Sequence, residues 1–82
     1  MRVLVIEDNH DIATAIRTML ERRKFSVDVA SDGESGLEHL LREIYDVAVV
    51  DIVLPKRDGF SLCRAAREQG VETPLLMLCH SE

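Results

Sequence analysis

The chain has 82 residues, which is enough for one small domain and too few for two. Ten Lys and Arg stand against fifteen Asp and Glu, so the formal net charge is −5, the opposite sign from that of a general nucleic-acid or anionic-membrane binder. Hydrophobic residues make up 46% of the chain, which excludes a disordered polypeptide, and every apolar run is far shorter than the roughly 20 residues of a membrane span. With two cysteines and a start unlike a signal peptide, we expect a cytoplasmic protein.

Short apolar runs alternate with segments of helical periodicity along the chain. In chain order the predicted elements are a strand at 3–6, a helix around 12–20, a strand at 25–30, a helix around 37–44, a strand at 47–50, a helix at 59–69 and a strand at 75–78. Three strands are continuous apolar runs, as expected for strands buried on both faces, whereas 25–30 alternates and suits a strand that is exposed on one side or lies at a sheet edge. Asn9 or Asp11 could cap the first helix, and Gly70 stands at the C′ position of the third.

The expected buried faces of the helices follow from residue spacing. The first helix would bury Ile12, Ala15, Ile16, Met19 and Leu20, and the second Leu37, Leu40, Leu41 and Ile44. On the third helix, Phe60, Cys63 and Ala66 recur at spacing three, which makes Cys63 a small hydrophobe rather than a reactive thiol. Gly33 and Gly36 are expected to help start the second helix.

The β-α-β-α-β-α-β order predicts an α/β protein with a doubly wound parallel sheet and right-handed crossovers. Ligands bind such sheets beyond the carboxyl ends of the strands. Glu7 and Asp8 follow the first strand and Asp51 closes the third, so neighbouring strands would bring three carboxylates together. Asp8 alone could begin a helix cap and Asp51 alone a turn, but three adjacent anions raise one another's pKa values or recruit a cation. Hard oxygen ligands favour Mg²⁺ with retained waters.

The sequence resembles the receiver domain of bacterial two-component response regulators. Four motifs at 3–8, 46–51, 54–59 and 73–78 carry the resemblance, in the right order and spacing over all 82 residues. The resemblance implies a flavodoxin-like fold with strand order 2-1-3-4 and a role in signalling and transcription regulation. It also implies Mg²⁺ bound by Glu7, Asp8, Asp51 and the backbone carbonyl of Val53. Asp51 would accept a phosphoryl group from a sensor histidine kinase, so the chain would be a self-phosphorylating acceptor at most and not an enzyme.

The same resemblance assigns a turn and exposes two departures. Pro55 and the Asp58–Gly59 pair would shape the turn into the third helix, a role that their φ preferences suggest. The family has Thr or Ser where this chain has Cys79, and a thiol is the weaker hydrogen-bonding partner of a phosphoryl group. The chain also stops after the fourth strand, before the later lysine. We therefore expect 1–82 to be a partial receiver domain with impaired phosphotransfer, left as a fragment, a truncation or a piece completed by another chain.

Other classes of site fit less well. A phosphatase of the haloacid-dehalogenase type needs an acid two residues after Asp51, but position 53 is Val. Neither a P-loop nor a dinucleotide-binding glycine motif is present. A zinc site from His10, Cys79 and His80 is conceivable, but these residues lack dedicated ligand spacing. The serious alternative is a pseudo-receiver without phosphoryl chemistry that acts as a protein-interaction or dimerisation module.

Topology also predicts a homodimer or swapped oligomer. With order 2-1-3-4, the first helix covers one face and the other two helices cover the opposite face, so one face is left half bare. Alternate side chains of 47–50 and 75–78 would line the bare part, and 75–78 would be an apolar edge strand with little to deter pairing. We expect two such strands to pair around a twofold axis.

Overall fold

The computed structural model describes residues 1–78, which form one four-stranded sheet and three helices. In chain order the elements are β1 (Arg2–Ile6), α1 (His10–Arg22), β2 (Ser26–Ala30), α2 (Gly33–Arg42), β3 (Val47–Asp51), α3 (Gly59–Glu68) and β4 (Leu75–Leu78). All strand pairs are parallel and the order is β2-β1-β3-β4, which confirms the predicted doubly wound topology. Within these residues, no helix is long and apolar enough to cross a membrane.

The register between β1 and β3 determines where the acidic residues lie. Ile6 on β1 pairs with Val50 on β3. Both strands run in the same direction and stop within one residue of each other, so Glu7 and Asp51 emerge at the same edge of the sheet. The predicted edge position of β2 is also confirmed, because β2 pairs only with β1 in the described part of the chain.

The main core lies between the sheet and the pair α2 and α3. Its sheet side is made by Leu4, Ile6, Ala48 and Val50, and its helix side by Leu40, Leu62 and Ala66. Cys63 packs against this cluster with its Sγ 3.4 Å from the Sδ of Met77. Burial raises the pKa of the Cys63 thiol, in keeping with a small hydrophobe.

The predicted buried faces of all three helices need correction. Phe60 is 62% exposed, because three-residue steps drift around a helix of about 3.6 residues per turn, and Leu62 and Ala66 form the buried stripe. Ile44 is 89% exposed because α2 ends at Arg42, before it. On α1, Met19 is 56% exposed and Ala15 is exposed, because α1 packs mainly over β1 and β2 and buries Ala13.

A polar cluster ties the amino-terminal ends of the strands together. The Arg2 guanidinium lies 3.2 Å from Asp28 and 2.5 Å from Glu43, and it stands 5.1 Å above the centre of the Tyr45 ring. The Tyr45 hydroxyl donates to Asp28 at 2.7 Å, and this bond together with Arg2 holds the pKa of Asp28 below its usual value. The cluster joins β1, β2 and the α2–β3 connection at the end of the sheet opposite the acidic residues.

Two helices end in the same hydrogen-bonded motif with different residues in its left-handed position. At α3, Gly70 has φ +87°, Val71 N–H donates to Ala66 and Gly70 N–H donates to Arg67, as predicted for a C′ glycine. At α1, Lys24 occupies the equivalent position with φ 70°, and Phe25 and Lys24 donate to Leu20 and Glu21.

We expect Lys24→Gly to stabilise the protein. Left-handed backbone costs an L-residue about 1–2 kcal/mol, while glycine loses more entropy on folding, so the net gain should be about 0.5–1 kcal/mol. Chemical denaturation measures it. The matched control is Gly70→Lys, which should destabilise by a similar amount because open space surrounds the Gly70 Cβ position. A loss of stability in Lys24→Gly would contradict the assignment of strain to this position.

Candidate metal and phosphoacceptor site

The structure brings the three predicted carboxylates together. One carboxylate oxygen from each of Glu7, Asp8 and Asp51 lies within 4.8 Å of the other two. Glu7 and Asp51 are only 2% exposed, whereas Asp8 is exposed. The cluster is therefore open to solvent on the Asp8 side and closed by protein around the other two acids.

Backbone amides hold the two buried carboxylates. Asn9 N–H donates to Oε2 of Glu7 at 3.1 Å, and Val53 N–H donates to Oδ1 of Asp51 at 3.2 Å. Burial raises the pKa of Glu7, and the neighbouring Asp51 raises it further, while the hydrogen bond from Asn9 opposes both effects. The site therefore holds negative charge at an energetic cost that a bound cation would reduce.

The donor set suits a hard divalent cation. Its three members are carboxylates, and no other group of three His, Cys, Asp or Glu side chains within residues 1–78 lies close enough to hold a metal. Magnesium keeps several waters, for which the exposed Asp8 side leaves room. The alternative zinc set stays a hypothesis, because Cys79 and His80 lie outside the described residues, while His10 is exposed at the start of α1.

The loop from β3 to α3 begins directly after Asp51 and packs tightly. Asp58 caps α3 by accepting from Ser61 N–H at 2.9 Å. The left-handed backbone in this turn belongs to Lys56, with φ 69°, and not to Gly59, so the predicted φ role of Gly59 is wrong. Gly59 is required for close approach instead, because a Cβ there would lie 2.6 Å from the carbonyl oxygen of Asp51.

Val53 and Cys79 are the other two residues predicted to belong to the site. The structure places Val53 beside Asp51 through its N–H, and metal binding by its carbonyl stays a prediction. Cys79 lies outside the described residues, so its role also stays a prediction. Gly33 starts α2 as expected, but its decisive property is contact, since a Cβ there would lie 1.9 Å from the carbonyl oxygen of Arg57.

Asn9 is the residue of the site that sequence reasoning missed. The sequence suggested only a helix cap at Asn9 or Asp11, and the structure selects Asn9, whose side chain accepts from Ile12 N–H at 3.1 Å. The bond from its backbone N–H to Glu7 had no signal in the sequence, because it depends on how the chain turns after β1.

Comparison with known proteins decides the family. The family described as "Response regulator receiver domain" matches residues 3–82. The chain belongs to the response regulator receiver family. It is 49% identical over 78 residues to the transcriptional regulatory protein DltR of Streptococcus agalactiae, and 40% identical over 77 residues to the alkaline phosphatase synthesis transcriptional regulatory protein PhoP of Bacillus subtilis.

Solved receiver domains share this fold. The receiver domain of a Francisella response regulator superposes with a TM-score of 0.92 at 37% identity, over 95% of this chain and 64% of that one. The receiver domain of a sensor histidine kinase from Pseudomonas aeruginosa, solved with a magnesium ion in its active-site cleft, gives 0.89 at 31% identity, over 93% of this chain and 63% of that one.

The match covers only part of each relative. The aligned segments are 95% of this chain but 35% of DltR, and 94% of this chain but 32% of PhoP. The chain thus spans about a third of the length of these curated relatives.

We expect Gly59→Ala to destabilise this receiver and to disturb Asp51. The added methyl group would meet backbone atoms of Asp51 and Ile52 that cannot turn away, so the cost should be about 1–3 kcal/mol. Thermal unfolding measures the loss, and the backbone amide shifts of Asp51 and Ile52 report the local displacement. Ala65→Gly, a change on the same helix, is the control and should leave these shifts unchanged. A fully stable Gly59→Ala protein would contradict the close approach.

Proposed function

We propose that this receiver takes a phosphoryl group from the phosphohistidine of a sensor kinase onto Asp51. The observation that carries the proposal is the cluster of three carboxylates within 4.8 Å, two of them buried. An oxygen of Asp51 attacks the phosphorus, the phosphorus–nitrogen bond breaks, and its electron pair stays on the histidine nitrogen. We also propose that the chain only accepts the phosphoryl group and turns over no separate substrate.

In the proposed site, Glu7, Asp8, Asp51 and the carbonyl of Val53 hold Mg²⁺, which would neutralise charge on the transferring oxygens. Val53 N–H fixes the orientation of the Asp51 carboxylate through its bond to Oδ1. Burial of Asp51 keeps bulk water from competing as the acceptor. Cys79 would take the place of a hydroxyl that binds the phosphoryl group, so we infer slow transfer in the 82-residue chain.

The proposed setting is a cytoplasmic signalling pathway that controls transcription. DltR and PhoP are transcriptional regulatory proteins by name, which supports this output for a protein containing the present segment. The net charge of −5 supports the view that the segment itself does not bind nucleic acid directly. Within residues 1–78, Cys63 is a free thiol, which is compatible with a reducing compartment.

We further propose that the 82-residue chain self-associates through β4 and the sheet face beside it. Within residues 1–78, β4 pairs only with β3, and its Leu76 is 57% exposed. An apolar edge strand presents unpaired backbone groups that another strand can bind. A twofold contact closes on itself and satisfies both edges at once.

We expect Mg²⁺-dependent but weak labelling of Asp51 by acetyl phosphate. The carboxylate cluster provides the acceptor and the metal ligands, while the thiol at 79 stabilises the transferring group poorly. Mass spectrometry after labelling, with and without EDTA, measures the modification. Asp51→Asn should abolish it, and Asp46→Asn at the opposite end of the sheet is the matched control. Unlabelled wild type that still binds a kinase would favour the pseudo-receiver alternative, and labelling equally strong in Asp51→Asn would refute the acceptor assignment.

We expect the 82-residue chain to sediment as a dimer or larger species. Leu76→Lys should shift it toward monomer because a charge on the exposed edge opposes strand pairing. Ile44→Lys is the control, since Ile44 is also exposed but belongs to the α2–β3 connection and not to β4. Analytical ultracentrifugation measures the distribution. A folded wild-type monomer at high concentration would contradict the proposal.

A further inference from the structure

Asn9 forms hydrogen bonds in two directions, forward to the first turn of α1 and back to the acidic segment that follows β1. Its side-chain oxygen accepts from Ile12 N–H at 3.1 Å and its backbone carbonyl accepts from Ala13 N–H at 2.9 Å. Its own N–H points back toward the strand and donates to Oε2 of Glu7 at 3.1 Å. One residue therefore joins the start of a helix to a buried acid of the metal cluster.

These contacts limit the rotation of the backbone between Glu7 and the helix. The two bonds to the first turn of α1 hold Asn9 in an extended conformation with φ −79° and ψ 113°. The Asn9 N–H lies in the plane of the peptide bond that joins Asp8 to Asn9, so a hydrogen bond that fixes the N–H also fixes this plane. A fixed Asn9 thus orients the Glu7 carboxylate directly and restricts the backbone that carries the Asp8 side chain.

We propose that Asn9 is a positioning residue for the metal site and acts through Glu7 and Asp8. It can do so because its helix cap fixes its own backbone. This inference rests on the proposed function, because it presumes that the carboxylate cluster binds Mg²⁺. Hydrogen-bond partners of metal ligands commonly change metal affinity about 10–100-fold when they are removed. Asn9 loses its cap but keeps its N–H when it is replaced by alanine, so we expect the lower end of that range.

The test is Mg²⁺ titration of three variants, followed by amide chemical shifts at a temperature where every protein is folded. Asn9→Ala should weaken Mg²⁺ binding about tenfold. Asn9→Ser retains a good capping oxygen without adding charge and should stay within about twofold of wild type. Val71→Ala is the stability control. Val71 packs against the core in the α3–β4 connection, far from the acidic cluster in sequence, and shortening its side chain changes no charge.

The outcomes separate positioning from general loss of stability. Equal weakening in Val71→Ala would overturn the proposal, and so would Asn9→Ala that binds as wild type or Asn9→Ser that binds as poorly as Asn9→Ala. A second readout needs no metal, namely hydrogen exchange of the residue 9 amide. Exchange of this amide should accelerate about tenfold in the alanine variant, because the amide loses protection when it is no longer held in place. It should remain slow in the serine variant.

The second readout also distinguishes the two proposals. If wild type binds no Mg²⁺ but the exchange pattern holds, the metal assignment fails while the cap still positions Glu7. If Mg²⁺ binds normally and residue 9 exchanges alike in the wild type, Ala and Ser proteins, the metal assignment stands and the positioning role of Asn9 is wrong.

Discussion

Two carboxylates buried side by side are the constraint to which the rest of this receiver is adapted. Glu7 follows β1 and Asp51 ends the adjacent parallel strand β3, so the register of the two strands places the buried side chains next to each other. Burying like charges is costly, and the raised pKa of Glu7 expresses that cost. The amides of Asn9 and Val53 offset part of it. A divalent cation would offset more, which is why the geometry favours a metal site over an accident of packing.

The connections at this end of the sheet share the task of holding the site. Every helix follows a strand, so all three helix N-termini lie at the carboxyl edge, and each is capped by a side chain, from Asn9, Asp32 and Asp58. Their dipoles present positive ends toward the acidic edge. Two glycines allow close packing because they lack a Cβ atom. Gly59 lets α3 approach the backbone of Asp51, and Gly33 lets α2 approach the backbone of Arg57. The site is thus stabilised by backbone contacts that any larger side chain at these glycines would disrupt.

The sequence was sufficient where the physics is local or topological. Apolar runs located the strands, and the strand order that the family resemblance implies placed β1 beside β3, so that Glu7, Asp8 and Asp51 were expected to meet. It failed where tertiary distances decide. The exposure of Phe60 depends on the phase of α3 over the sheet, the left-handed turn fell at Lys56 rather than at a glycine, and the Arg2 cluster joins residues as far apart in sequence as Arg2 and Tyr45. Spacing along one element carries no information about such contacts.

The asymmetry of the acidic cluster connects stability with metal binding. Burial raises the pKa of Glu7 in the folded protein above its unfolded value, so folding favours the protonated form. The sign follows: Glu7 contributes stability below its unfolded pKa, and that contribution is lost as pH rises through the folded pKa. Ionising Glu7 in the metal-free fold is therefore costly. A cation requires the ionised form, so proton and metal compete for one buried carboxylate, while the exposed Asp8 gives the cation access from solvent. A cation bound at this edge would offset the cost that burial places on the ionised carboxylate.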